Sequence, residues 1–150
     1  MKFSTKGRYG LRAMVDLAVH AKGEHVALCS IAQRQGISTN YLEQVFSVLR
    51  KSGLVKSVKG AQGGYVLADA SENIKVGRIL RALEGPLSVI DENAENSGKS
   101  KSSIQQCIQK CVWDKMNESL NGLADSLTLE DLVDNYFKMN GIEEDVMYYI

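Results

Sequence analysis

Two sets of residues in this 150-residue chain are of types that do chemistry, a glycine-rich segment and three cysteines. The segment is SVKGAQGGYVLAD at residues 57–69, and its glycines and Lys59 raise the question whether it holds the phosphate of a nucleotide. A phosphate loop joins a buried strand to the N-terminus of a helix, so that backbone N–H groups and the helix dipole converge on the anion. Here the apolar run from Tyr65 is that of a second strand, and neither GxxxxGK(S/T) nor GxGxxG occurs. The segment therefore predicts the tip of a β-hairpin.

The residues before this hairpin predict three helices. The first follows a cap at Ser4 or Thr5 and ends at AKGEH, and the second fits LCSIAQRQ. The third follows a cap at Ser38 and ends at Gly53. Three helices and a basic hairpin are the order of a winged helix-turn-helix, whose third helix enters the major groove of DNA while the hairpin reaches the backbone or minor groove.

The distribution of charge agrees with a DNA-binding N-terminal half. The formal net charge is zero, but residues 1–67 hold ten basic and three acidic residues, a net charge of +7. The remaining residues hold eight basic and fifteen acidic residues, a net charge of −7. We interpret the first half as facing a polyanion, the alternative being chance clustering on a solvated surface.

The exposed side of the third helix and the hairpin supply the candidate contacts to phosphates and base edges. Glu43 is unusual there, because a carboxylate beside DNA is tolerable mainly when it accepts from a cytosine amino group; the alternative is a surface charge. Tyr41 is a candidate contact that could instead belong to the core. The predicted DNA-binding residues of this region are Ser38, Thr39, Asn40, Tyr41, Glu43, Gln44, Arg50, Lys51, Lys56, Lys59 and Gly60.

The C-terminal half predicts a long amphipathic helix that needs a partner. It follows a short helix from about Val76 to Leu83 and a polar segment at 91–103, which we expect to be a linker or surface loop. Thr128 and Asp131 are predicted to cap a last helix. The apolar residues of the long helix form a stripe of this length, which is best buried against a partner helix. They recur every three or four residues over six turns: Ile104, Ile108, Val112, Met116, Leu120, Leu123 and Leu127.

Several classes of protein are excluded by what the chain contains. No apolar run has the length of an export signal or a membrane span, so we expect a cytoplasmic protein that does not engage a membrane. Three cysteines do not make a secreted disulfide framework. No nucleophile–base pair, metal set or cofactor loop occurs in a compatible context, so we do not expect an enzyme.

Five stretches carry a resemblance to the Rrf-type bacterial regulators, a family that includes IscR-, NsrR- and CymR-like proteins. They are STKGRYGLRAM, SIAQRQGIS, YLEQVFSVLRKSGLVKSVKGAQGGYVL, ALEGP and the segment from Trp113 to SLTLEDL, and the resemblance as a whole covers nearly all of residues 1–138. The resemblance implies a homodimeric repressor that binds double-stranded DNA, and it adds Ser4, Lys6 and Arg8 as phosphate contacts.

The fold class that follows is mainly α with a small β-hairpin: a winged helix-turn-helix DNA-binding domain plus a long C-terminal dimerisation helix. We expect the DNA-binding domain at 1–85, a flexible loop at 86–103, dimerisation helices at 104–138 and a C-terminal tail at 139–150.

The cysteines leave the signal open. The resemblance implies that cluster-binding relatives use three cysteines and a histidine as ligands. Only the third cysteine has a counterpart here, which is Cys107, and Lys110 stands at the position of the histidine. We therefore expect no cofactor, with an iron–sulfur cluster on unusual ligands as an alternative. Cys107 and Cys111, at i and i+4, are candidates for a redox or metal site, or are simply apolar residues of a dimer core. Cys29, near the start of the second helix, is a possible reactive thiol whose default is no special role.

The C-terminal residues MYYI resemble the ending of CymR-like regulators, which is the subgroup closest in tail and cysteine pattern. That resemblance implies cysteine synthase as a partner and Tyr148, Tyr149 and Ile150 as the binding tail, because a free carboxylate on an apolar residue suits a peptide-binding pocket. The alternative is that these residues cover the surface of the dimer. The sequence thus predicts a regulator of cysteine, sulfur or iron–sulfur metabolism, or an interaction module that docks its tail on cysteine synthase.

Overall fold

The computed structural model describes residues 2–91 and 102–141, which form a mainly helical fold with one hairpin. The N-terminal helices are α1 (Thr5–His20), α2 (Leu28–Gln35) and α3 (Thr39–Lys51). The antiparallel strands β1 (Val55–Val58) and β2 (Gly64–Leu67) follow, then a 3₁₀ turn at Ser71–Asn73 and α4 (Val76–Glu84). The long helix α5 runs through Ser103–Ile108, Gln109–Trp113 and Asp114–Ser126, and α6 is Leu129–Met139.

Local capping explains where most of these helices begin. The side chains of Ser4 and Ser38 accept from the backbone N–H groups of Gly7 and Tyr41, which satisfies otherwise unpaired donors in the first turn. Thr128 and Asp131 form a reciprocal capping box at the start of α6. The predicted caps at Ser4, Ser38 and Thr128 are thus present, and Ser102 with Gln105 forms a further capping box at the start of α5.

The core lies between α1, α3, α4 and the base of the hairpin. Phe46, Met14 and Leu17 are its largest fully buried side chains. Leu129, at the start of α6, belongs to the same cluster, and its backbone N–H donates to the Ile74 carbonyl at 2.8 Å. The last helix therefore packs back onto the N-terminal half, and a single core serves both.

Helix α5 differs from the continuous α-helix that its apolar stripe predicts. Residues Gln109–Trp113 are π-helical, and the Asp114 N–H donates to the Gln109 carbonyl five residues earlier. Most of the stripe nevertheless stays exposed, with Ile104 72% and Leu123 61% accessible, whereas Leu120 and Leu127 are half-buried. A polar network joins α5 to α4, where Arg81 binds Asp125 at 2.7 Å and Asn121 at 2.7 Å.

Candidate nucleic-acid interface

The helix-turn-helix is formed by α2, a turn and α3. Helix α2 ends at Gly36, which has a left-handed backbone, and the Ile37 N–H then donates to the Ala32 carbonyl at 3.0 Å. Leu42, Val45, Phe46 and Leu49 bury one face of α3. The opposite face is therefore held toward solvent by core packing.

That solvent face carries most of the residues predicted to read DNA. Tyr41 is half-buried and meets the ring of Tyr9 edge-on at 6.1 Å between centroids, so this residue contributes to packing as well as to the surface. The exposed members of the predicted set on this face, with its cap, are Ser38, Thr39, Asn40, Glu43 and Gln44.

The hairpin forms the wing, and glycines shape its tip. Gly60 has a φ of 128°, a value that residues with a side chain rarely adopt. The Gly63 N–H donates to the Gly60 carbonyl at 3.1 Å. At Gly64 the chain passes so close to Val26 that a Cβ would overlap the Val26 carbonyl. The glycines therefore serve the turn and a close backbone approach, as the hairpin interpretation predicts.

Three contacts fix the wing relative to α3. Val26 and Tyr65 exchange two backbone hydrogen bonds of 2.9 Å, which adds a third strand-like segment to the hairpin. The Tyr65 ring packs on Phe46 of α3 at 4.8 Å between centroids. At the tip, His25 Nε2 bonds the Gln62 carbonyl, and since a carbonyl only accepts, the imidazole nitrogen is the donor. The wing is thus anchored at its base and at its tip.

Glu43 lies where the recognition helix and the wing meet. It lines one surface cavity of about 580 Å³ with Asn40 and Gln44, and a second of about 450 Å³ with Lys59 and Gly60. No pairing of its carboxylate with a basic group occurs within residues 2–91 and 102–141. A polar partner that enters between helix and wing would therefore meet this carboxylate.

Four basic side chains lie on α3 and on the wing. Arg50 and Lys51 end α3, and Lys56 and Lys59 lie on the wing; all four are exposed. In the part of the chain that the structure describes, none of them has an acidic partner. Their charge is thus available to an external anion, which is what phosphate contact requires.

The N-terminus of α1 contains an acidic partner that the sequence did not indicate. The Glu84 carboxylate accepts from the backbone N–H of Ser4 at 3.1 Å and of Gly7 at 3.0 Å, and from the Ser4 hydroxyl. Partial desolvation acts to raise the pKa of Glu84, but these hydrogen bonds and the charge of Lys6 outweigh it and lower the pKa. Of the three predicted phosphate contacts here, Ser4 is thus engaged internally, Lys6 is half-buried, and Arg8 is exposed with a 3.3 Å bond to Thr5.

A buried carboxylate, also absent from the sequence-based list, holds α2 against α1. Asp16 is 4% exposed and accepts from Arg34 Nη2 at 2.7 Å and from Gln35 Nε2 at 2.9 Å. The hydrogen bonds to Asp16 raise the pKa of the Arg34 guanidinium, against a smaller opposing effect of desolvation. The ionic contact therefore ties α2 to α1.

All three cysteines are free and exposed. Cys107 and Cys111 lie on α5 and Cys29 is the second residue of α2. Among residues 2–91 and 102–141, no three His, Cys, Asp or Glu side chains come together as a metal site would require. The predicted tail residues Tyr148, Tyr149 and Ile150 and most of the predicted loop lie outside the described residues. In the described ranges, no helix has both the length and the apolar character needed to span a bilayer.

Comparison with known proteins points to bacterial regulators. The family model Rrf2, described as iron-dependent transcriptional regulator, matches residues 3–135. The chain is 44% identical over 151 residues to the HTH-type transcriptional regulator CymR of Bacillus subtilis, with all of both chains covered. The structure of CymR, the global cysteine regulator of B. subtilis, matches 90% of this chain and 98% of its own with a TM-score of 0.77 and 40% identity. The structure of T. potens IscR matches 91% and 88% with a TM-score of 0.73 and 48% identity.

Proposed function

Because the chain belongs to the Rrf2 family of transcriptional regulators, we propose that it is a homodimeric repressor that binds double-stranded DNA and controls genes of cysteine or sulfur metabolism. The membership confirms the predicted winged fold and the prediction that this is not an enzyme. The observation that carries the proposal is the cavity in which Glu43 of α3 meets Lys59 and Gly60 of the wing. A bacterial transcriptional regulator works where the DNA lies, so the proposed function places this protein in the cytoplasm.

Charge and base recognition have separate signatures in a binding assay. Lys59→Ala should weaken binding to every DNA sequence alike and reduce the slope of log affinity against log salt by about 0.9 per lost phosphate contact. Glu43→Ala should instead change the preference among sequences, because a carboxylate discriminates by accepting from cytosine. Lys138→Ala is the matched control, since Lys138 is an exposed lysine near the end of α6.

Fluorescence anisotropy with operator, single-base variants and unrelated DNA, each at several salt concentrations, measures both effects. A salt slope near zero in the wild type would refute phosphate neutralisation. Equal losses on all sequences for Glu43→Ala would remove the readout role of Glu43. Reporter expression that rises on deletion of the gene supports repression, whereas expression that falls indicates an activator.

Two apolar surfaces support the homodimer. One is the exposed stripe on α5; the other is a groove of about 470 Å³ between α1 and α6, walled by Leu11, Val15, Leu132 and Tyr136. Exposed apolar patches of this kind on a small protein indicate contact with another surface. In a twofold pair, contact between the stripe of one subunit and the groove of the other would be made twice.

The signal is proposed to concern cysteine supply rather than a bound cluster. Similarity over the full chain to the global cysteine regulator of B. subtilis supports this choice. An iron–sulfur cluster, suggested by the family description and by IscR relatives, needs a set of cysteine ligands, and the described residues bring no three metal-binding side chains together. Bound iron and visible absorption in anaerobically purified protein would instead support the cluster.

The tail carries a further part of the proposal, an interaction with cysteine synthase through Tyr148, Tyr149 and Ile150. The support is the sequence itself, in which the acidic residues 143–145 are followed by the apolar and aromatic residues of the predicted binding tail. Deletion of Ile150 should abolish enzyme capture and leave the intrinsic DNA affinity unchanged. Enzyme binding that survives the deletion would contradict this role of the tail.

A further inference from the structure

Tyr41 of α3 is supported from the side by Tyr9 of α1. The two ring centroids lie 6.1 Å apart and the ring planes are 80° apart, an edge-to-face arrangement in the usual range for aromatic pairs. Both side chains are half-buried and pack against the core, so each keeps a part that faces solvent. The backbone N–H of Tyr41 donates to the Ser38 cap at 3.1 Å, which fixes the first turn of α3. The ring of Tyr9 therefore limits the directions in which the Tyr41 side chain can point.

Helices α1 and α3 approach each other closely beside this pair. Gly10 follows Tyr9 in the chain and has no side chain. A Cβ at Gly10 would overlap Leu83 of α4 and would lie 3.3 Å from Val45 of α3. Val45 is buried and lies one turn after Tyr41. Core packing thus sets the place of α1 beside the first half of α3, and it makes Tyr9 a fixed support.

Arg12 stacks on Tyr9 and is itself held in place. Its guanidinium carbon lies 5.0 Å from the centroid of the Tyr9 ring, which is within the range of a cation–π contact. The Arg12 Nε donates to Gln35 Oε1 at 3.3 Å, and its Nη2 donates to the Gln35 carbonyl. The Gln35 amide donates in turn to the buried Asp16 carboxylate at 2.9 Å. A continuous series of contacts therefore runs from Asp16 to Tyr41.

Fixing the Tyr41 side chain before DNA arrives favours binding. Tyrosine carries a single hydroxyl, which can donate or accept a hydrogen bond only in the direction that the ring sets. A side chain that is already in its bound orientation loses less conformational entropy on association. Residues that supply this order act on affinity without touching the DNA themselves.

We propose that Tyr9, supported by Arg12, is a positioning residue that orients the Tyr41 side chain for contact with DNA. The inference rests on the proposed function, since it requires the chain to bind DNA through α3. Neither Tyr9 nor Arg12 belongs to the predicted set of DNA contacts. Their contribution is the orientation of Tyr41 and not a charge or a hydrogen bond to the nucleic acid.

The test is a double-mutant cycle on DNA affinity. It uses the full-length protein, fluorescence anisotropy and a duplex that wild type has selected from a random-sequence pool. Tyr9→Leu should weaken binding roughly 2- to 10-fold, which corresponds to the loss of one aromatic pair. In the Tyr41→Ala background the same change should have no further effect, because no side chain is left to orient. Tyr9→Phe keeps the ring and should restore the affinity that Tyr9→Leu loses.

Two further variants separate positioning from stability and from charge. Ile79→Val shortens a fully buried side chain of α4, so it should lower the urea midpoint and leave DNA affinity unchanged. Arg12→Gln should weaken binding less than Tyr9→Leu, and only when Tyr41 is present. It should also leave the slope of log affinity against log salt at the wild-type value. A slope smaller by about 0.9 in both backgrounds would show that Arg12 meets a phosphate directly, and would overturn its positioning role.

The cycle can fail in ways that are told apart from a failure of the proposed function. Equal losses from Tyr9→Leu with and without Tyr41, or no loss in either background, would overturn the inference. Binding by Tyr9→Phe as weak as that by Tyr9→Leu would do the same. A loss in Ile79→Val as large as that in Tyr9→Leu would assign the effect to stability instead. A wild-type protein that binds no duplex would refute the proposed function itself.

Discussion

Leu123 provides the sharpest test of the proposed dimer. Its side chain is 61% exposed in the single chain and belongs to the apolar stripe of α5. Alanine has the highest helix propensity, so replacing Leu123 with alanine should leave the helix itself unaffected. Leu123→Ala therefore removes apolar contact area from the stripe and little else.

The size of the effect follows from the exposed fraction. Leucine has three more carbon atoms than alanine, worth about 2.4 kcal/mol if fully buried at about 0.8 kcal/mol per carbon. With 61% of the side chain left to bury, this is about 1.5 kcal/mol per subunit. A twofold interface counts the loss twice, about 3 kcal/mol, which raises the dimer dissociation constant about 100-fold.

Fluorescence-detected sedimentation over a wide range of protein concentration measures that constant. Val58→Ala is the matched control, because Val58 is also an exposed apolar residue, at 36%, but lies on the wing. It should leave the dissociation constant unchanged. An unchanged constant in Leu123→Ala, or an equal rise in both variants, would refute the assignment of the stripe to the dimer contact.

Three further predictions concern stability and the wing. The folded-state pKa of Glu84 is lowered, so its stabilisation is present above the unfolded pKa of about 4.3 and is lost as the pH falls through the lower folded value. The urea midpoints of wild type and Glu84→Gln should therefore converge as the pH falls from the unfolded value through the lower folded value; a constant gap would contradict the pairing. Asp16→Ala leaves Arg34 without its acceptor and should lower the free energy of unfolding by about 1–3 kcal/mol, as measured by urea denaturation. His25→Ala removes the bond to the wing tip and should weaken DNA binding several-fold in anisotropy with unchanged helix content; wild-type affinity would show that the tip needs no anchor.

The features that could be predicted from sequence are those set by neighbouring residues. Ser38, Gly36 and the pair Thr128 and Asp131 mark helix ends because caps act over three or four positions. The hairpin could be predicted because a glycine-rich turn separates its two strands. Fold class followed from the order of these local elements.

The features that could not be predicted depend on pairs far apart in the chain. Glu84 meets Ser4 across 80 residues, and His25 meets Gln62 across 37, so no local pattern marks either pair. The π-helical turn was missed for a different reason, since apolar steps of three and four are compatible with a continuous α-helix. Asp16, by contrast, lies among the apolar residues of α1, and a charged residue in such a pattern could have predicted a buried carboxylate with a basic partner.

The Glu84 pairing changes what the N-terminus of α1 can offer to DNA. Two of its backbone N–H groups and the Ser4 hydroxyl already bind a carboxylate, and a phosphate at the same groups would meet that negative charge. Ser4 is therefore better explained as the residue that joins α1 to α4. Phosphate contact in this region then depends on the side chains of Lys6 and Arg8, and the charge of Lys6 also offsets that of Glu84. The predicted salt dependence should consequently weaken on Arg8→Ala and remain unchanged on Ser4→Ala, provided that the variant retains its fold.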